Sequence, residues 1–152
     1  MDNSCIVYVL DPVLAQFRAQ LVPELSPDAI REIIECTAVD SIPFDSEHTL
    51  YFDDEGLRNG LSHYTMLDGF PDPLIGKLLL AASSARNKAP LIPIGEAAAR
   101  FHSYRPVIDP VIRSDRISRN DVTSFISAVE GFTARIERYD LKIVEQKDSE
   151  RL

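Results

Sequence analysis

The sequence predicts an α+β fold: a small, mainly antiparallel sheet with packed helices and a long C-terminal helix. Three observations predict it. Short β-branched and apolar runs recur through residues 4–82 between Gly, Pro and Asp turns, a capped helical segment opens at Ser26, and apolar residues return at three- and four-residue steps across 119–139. With 152 residues, 45% of them hydrophobic and 26% charged, the chain is sized to form one domain and bury a core without disulfides or metal. It reads as a single domain, 1–152, with a sheet-rich part at 4–82 and a helical extension at 83–152.

Cys5 to Leu10 reads as a strand, stopped by Asp11-Pro12, where the ring removes a backbone donor and restricts the residue before it. Phe17 to Val22 reads as a second strand, although Val13 to Leu21 also suits a helix. Ser26-Pro27-Asp28 supplies a cap, a first-turn proline and a carboxylate matched to the helix dipole, and Ala29, Ile30, Ile33 and Ile34 give the apolar face. The helix ends near Cys36. Ala38 to Phe44 and Thr49 to Phe52 form two strands around the polar loop Asp45 to His48, Asp53 to Gly56 turns the chain, and Leu61 to Leu67 is a further strand. The glycines and prolines of Asp68 to Gly76 indicate a non-repetitive loop before the strand Leu78 to Ala82.

The second half reads as helical. Ser83 to Pro93 is a connection, and Gly95 to Tyr104 is a helix by the recurrence of Ala97, Ala98, Phe101 and Tyr104. Val107 to Ile112 is extended around Asp109-Pro110. Ser118 and Asp121 then supply a capping signature for a helix over Arg119 to Tyr139, with Val122, Phe125, Ile126, Val129, Phe132 and Ile136 on one stripe and Gly131 as a weak point.

The net charge of -8 argues against a general nucleic-acid binder, which carries basic residues to neutralise phosphates. It disfavours an anionic membrane surface too. No 18-residue apolar window and no basic, apolar leader occur, so a soluble, cytoplasmic location without a membrane partner is expected. The charge is uneven: residues 1–76 hold 14 acids and 3 bases, whereas residues 77–152 hold 10 acids and 13 bases. Cys5 and Cys36 stand 31 positions apart, which excludes the paired spacings of zinc and redox motifs. Both read as small buried hydrophobes, and no cofactor is implied.

Two motifs carry a resemblance. Tyr51-Phe52-Asp53-Asp54-Glu55-Gly56-Leu57, followed by Gly69-Phe70-Pro71-Asp72-Pro73-Leu74-Ile75-Gly76-Lys77, resembles a family of small domains of unknown function found on phages, plasmids and other mobile elements. The opening strand with Asp11-Pro12 and the segment Ile30 to Cys36 are similar to the family's N-terminal part, so the likeness spans residues 4–82. It implies an α+β fold with a small antiparallel sheet and a mobile-element setting, without catalytic residues to carry over.

Asp53, Asp54 and Glu55, with His48 and His63 on flanking segments, form the densest set of possible ligands. Splayed at a turn, such carboxylates could hold Mg²⁺ or Ca²⁺ in a metal-assisted hydrolase, and the bland reading is a solvated hairpin turn closed by Gly56. Gly76 and Lys77 place an open backbone beside a cation, as an anion site would, without the P-loop signature; a rigid strand connection is the simpler account. His102 reads as an ordinary helical histidine rather than a general base.

Arg86, Lys88, Arg100, Arg105, Arg113, Arg116 and Arg119 cluster along 86–119 beside Phe101 and Tyr104, which suits a nucleotide or nucleic acid. Pairing of these cations with the acidic half of the same molecule, or of a second copy, is the alternative. No nucleophile elbow or triad context is present. The reading is a non-enzymatic interaction or ligand-sequestering accessory protein, with a protein or small-molecule partner and self-association left open. Candidate binding residues are Asp53, Asp54, Glu55, Gly76, Lys77, Arg100, Arg105, Arg113 and Arg116.

Overall fold

In the computed structural model, which describes residues 2–56 and 63–145, the opening apolar run is β1 (Cys5–Asp11), a central strand of a six-stranded sheet. It is apolar at successive positions because both faces are covered. Val7 and Val9 point to one side, Tyr8 and Leu10 to the other, and all four are buried. Its neighbours are β2 (Gln16–Val22) and β7 (Leu78–Ala82), both antiparallel. Beyond β7 lie β4 (His48–Asp53) and β3 (Val39–Pro43), and β10 (Lys142–Val144) adds a parallel strand outside β2.

A second sheet has the order β6 (Leu74–Ile75), β5 (Tyr64–Leu67), β8 (Phe101–Arg119), β9 (Val122–Tyr139). One face of the large sheet packs Tyr8, Leu10, Phe17, Leu50, Leu78 and Leu80 against Leu67, Leu74 and Phe101, together with Ala97 of the short helix α2 (Ile94–Ala98). The opposite face is covered by α1 (Pro27–Ile34), which sets Ile30 and Ile34 on Val7, Val9, Val22, Leu79 and Ala81. Leu79 and Leu80 are fully buried on opposite faces, so truncating either to Ala removes about 2–5 kcal/mol of stability.

The α1 cap is as the sequence indicates: the Ser26 side chain accepts the Ala29 N–H at 3.1 Å, and Glu35 ends the helix at φ 63°. The strands expected at Cys5, Phe17, Ala38, Thr49 and Leu78 are present. Tyr64–Leu67 confirms the described part of the Leu61 strand, while Leu57 of the acidic motif and positions 61 and 62 lie outside the described residues. The loop after Asp68 contains the two-residue strand β6.

The fold class requires correction. The protein is mostly β, with two sheets and two short helices among the described residues rather than an α+β arrangement with a long C-terminal helix. Over Gly95 to Tyr104 only Ile94–Ala98 is helical; Phe101 already opens β8 and pairs with Leu67. Over Arg119 to Tyr139 the chain is the strand β9. Ser118 and Asp121 do not cap a helix: Asn120 (φ 47°) and Asp121 (φ 63°) form a two-residue turn between β8 and β9. Two successive positive φ values are the signature of a tight hairpin turn whose twist matches the flanking strands. Nine of the 18 residues of β9 are β-branched or aromatic, and that composition outweighs the helical spacing of the apolar six.

Contacts divide the chain into two compact units, one drawn from Met1–Arg105 and Arg138–Leu152 and the other Pro106–Glu137. The second is a two-stranded hairpin. Its strands each keep one edge unpaired, which is where Pro106 and Pro110, lacking an N–H, can sit without breaking a ladder.

Candidate interaction surface

The two motifs behind the family resemblance meet in the first unit. Gly56, at the end of the acidic turn, lies against Ile75, and Asp40, Phe52, Asp53, Asp54, Asp72 and Leu74 are among the walls of a cleft of about 250 Å³ between them. Asp54 donates its N–H to the Ala38 carbonyl at 2.9 Å, and Asp53 accepts the Glu55 N–H at 2.9 Å, so hydrogen bonds close the turn itself. The histidines are committed elsewhere. His48 is buried, with Nδ1 on the Asp45 carboxylate at 2.8 Å and Nε2 accepting the Leu91 N–H at 2.9 Å. His63 packs edge-on against Tyr139. Among the described residues no group of three His, Cys, Asp or Glu side chains is placed to hold a metal ion.

Gly76 has a φ of 83°, as the turn into β7 requires. Lys77 beside it faces two carboxylates, Glu35 at 3.1 Å and Asp11 at 3.9 Å, rather than an open anion site. Burial pushes the Cys5 and Cys36 thiols above their ordinary pKa, and both side chains are half-buried. Protonated thiols in such surroundings are poor nucleophiles.

The candidate arginines divide between the two units. Arg100 stacks over the Phe44 ring at 4.0 Å and donates to the Phe44 carbonyl at 2.8 Å, and Arg105 lies 5.4 Å over the Tyr139 ring. Arg113 and Arg116 belong to the hairpin unit, where Arg113 pairs with Asp115 and Glu130, each at 3.3 Å. Ion pairs between the acidic and basic halves include Lys77 with Asp11 and Glu35, and His102 with Asp68, cations that do not belong to the basic set of Arg86 to Arg119. His102, on β8 instead of a helix, has Nε2 on the Asp68 carboxylate at 2.8 Å and Nδ1 toward Arg138 at 3.0 Å.

The feature that sequence reasoning missed is the surface of the hairpin. None of its 32 residues is buried, and of the fifteen large apolar side chains exposed among the described residues, ten lie in it. Phe125 is 72% exposed and Phe132 69%. The Ser114 and Ser127 hydroxyls bond across the strands at 2.9 Å, which puts Ile112, Phe125 and Val129 on their face and Ile117, Val122 and Ile126 on the other. Both faces are therefore apolar and uncovered. The signal that could have revealed this was Asn120-Asp121 between two β-branched runs.

No helix among the described residues is long and apolar enough to cross a membrane. No protein-family model matches the chain, and no solved structure matches it significantly. Two curated rhizobial proteins do. The uncharacterized protein y4iR of Sinorhizobium fredii is 40% identical over 111 residues, which is 70% of this chain and 68% of that protein. Protein PsiB of Rhizobium leguminosarum bv. phaseoli is 35% identical over 129 residues, 82% of this chain and 96% of PsiB. At that identity and coverage, the chain belongs to the family that contains y4iR and PsiB.

Proposed function

We propose that this chain is a non-enzymatic interaction protein, an accessory factor of a mobile element, that works by binding a protein through the hairpin Pro106–Glu137. The observation that carries the reading is the ten exposed large apolar side chains on that one unit. Contiguous apolar surface beyond a few hundred Å² is rare on soluble monomers and marks association sites. The resemblance of the Asp53–Leu57 and Gly69–Lys77 motifs supports the mobile-element setting. The same hairpin speaks against nucleic acid as the occupant, because its four arginines stand against five carboxylates and Arg113 and Arg135 are already paired within it.

The test compares the wild-type chain with Phe125→Ser/Phe132→Ser and with Asp54→Ala/Glu55→Ala as baits in rhizobial extract, followed by titration of each captured protein in purified form. The hairpin variant should bind at least about tenfold more weakly and the turn variant should bind as wild type does. Equal binding by the wild type and the hairpin variant would sink the reading.

A further inference from the structure

Resting on that reading, we infer that the hairpin Pro106–Glu137 is a self-association element whose occupant is the same hairpin of a second copy of this chain. The first argument is stability. A two-stranded hairpin without a covered face is marginal in water, so whatever covers this one must be present whenever the protein is folded. A second copy is present wherever the chain is made, and covers the hairpin once the chain concentration exceeds the dissociation constant.

The second argument is area. At roughly 150–250 Å² for a whole aromatic side chain and less for an aliphatic one, ten such groups exposed by between 37% and 72% of their surface offer on the order of 1,000 Å² of apolar surface. Side-chain alternation divides that area about equally between the two faces, so the copies must cover both faces to reach the roughly 800 Å² each partner contributes to a standard stable interface. Phe125 and Phe132 point to opposite faces of β9, so each anchors one of the two covered faces, aromatic groups at the centre of a contact carrying most of its energy.

The third argument is charge. In a two-fold contact each surface meets itself, so a patch of strong single sign repels its own copy. This hairpin carries five carboxylates and four arginines. Arg113 is neutralised by Asp115 and Glu130, and Arg135 by Asp109 and Glu137, which leaves charges of both signs near the turn, Arg116, Arg119 and Asp121, free to complement each other across a two-fold axis. The six-stranded sheet of the other unit is a poor rival surface, because both of its faces are already covered by α1 and by the core around Phe101.

The test is the mass of the full chain in solution by sedimentation velocity and light scattering. Wild type should run at twice 17.0 kDa and Phe125→Asp/Phe132→Asp at 17.0 kDa, with the far-ultraviolet dichroism of both alike. A photo-crosslinking residue at position 125 in the otherwise native chain covers the case in which the double variant misfolds: it should yield a dimer whose linkage maps within 106–137 of the other copy. A wild-type monomer at all concentrations, or a dimer crosslinked only outside 106–137, overturns the inference. A monomer whose hairpin variant still loses a captured partner leaves the interaction reading standing, whereas a hairpin variant matching wild type in mass and in capture removes both.

Discussion

Gly56 lies so close to Ile75 that a β-carbon built on it would stand 2.8 Å from the Ile75 β-carbon and 3.3 Å from its carbonyl oxygen. The contact joins the acidic turn to β6, so the two motifs of the family resemblance are one packed unit. Neither partner is the far end of a flexible side chain, so the strain cannot be relieved by a rotamer change. Gly56→Ala is expected to cost about 1–3 kcal/mol in urea denaturation. Gly69→Ala makes the comparison informative: nothing lies within 4 Å there, and its cost of about 1 kcal/mol arises from a φ of 84° alone.

Asp11 ties the first hairpin to the rest of the large sheet. Oδ1 accepts the N–H groups of Val13 and Leu14 at 3.1 Å, and Oδ2 meets Arg18 at 3.1 Å and Lys77 at 3.9 Å. Burial pushes its pKa up, but the Leu14 N–H, Arg18 and Lys77 outweigh burial and hold it below the ordinary 3.8. Because the folded value is the lower one, this stabilisation is complete above the unfolded pKa and is lost as pH falls through the folded value. Asp11→Asn should therefore cost about 1.5–3 kcal/mol near neutrality, with the gap from wild type closing below about pH 4. Thermal denaturation of both proteins across pH 3–7 checks it, and a gap that stays constant over that range contradicts the assignment.

His48 is the second buried polar anchor. Its ring bridges the β3–β4 loop, through Asp45, to the connection before α2, through the Leu91 N–H. The ring itself is buried, so removing it leaves the Leu91 N–H without its acceptor, while Asp45 keeps the Glu47 N–H. His48→Phe keeps much of the volume beside Phe44 and should still lose about 1–3 kcal/mol, with faster amide exchange at Leu91. Unchanged exchange at Leu91 would show that the bond carries no weight.

The first 82 residues were legible because there the local and long-range signals agree. Cys5 to Leu10 is apolar throughout since both faces of β1 are covered, and Ser26-Pro27 caps α1 through a bond its own side chain makes. Beyond Phe101 the signals conflict. Val122, Phe125, Ile126, Val129, Phe132 and Ile136 fall at helical steps, yet in β9 they divide between the two faces of a strand. Periodicity reports a helix only where one stripe has a body to pack on, and here neither face has one. The candidate residues fared according to distance: neighbours in sequence such as Asp53 and Asp54 stay together, while His48 and His63 are drawn away by Leu91 and Tyr139, partners no local pattern names.

The Asn120-Asp121 turn offers the most direct check on the corrected half of the fold. Both residues hold positive φ, which a left-handed-tolerant Asn accepts at moderate cost and glycine accepts at none. A helix over 119–139 would respond to Asp121→Gly by losing stability, because glycine near a helix start is a poor helix former. The hairpin responds in the opposite sense: Asn-Gly is the preferred pair for a two-residue turn of this hand, so Asp121→Gly should stabilise it by about 0.4–1 kcal/mol. Asn120→Pro should disrupt it, since the ring cannot adopt the φ of 47° found there. Amide exchange across 111–130 reads both changes, with slower exchange for Asp121→Gly and faster for Asn120→Pro. If the glycine variant instead exchanges faster and helical dichroism falls, β9 is not the strand described.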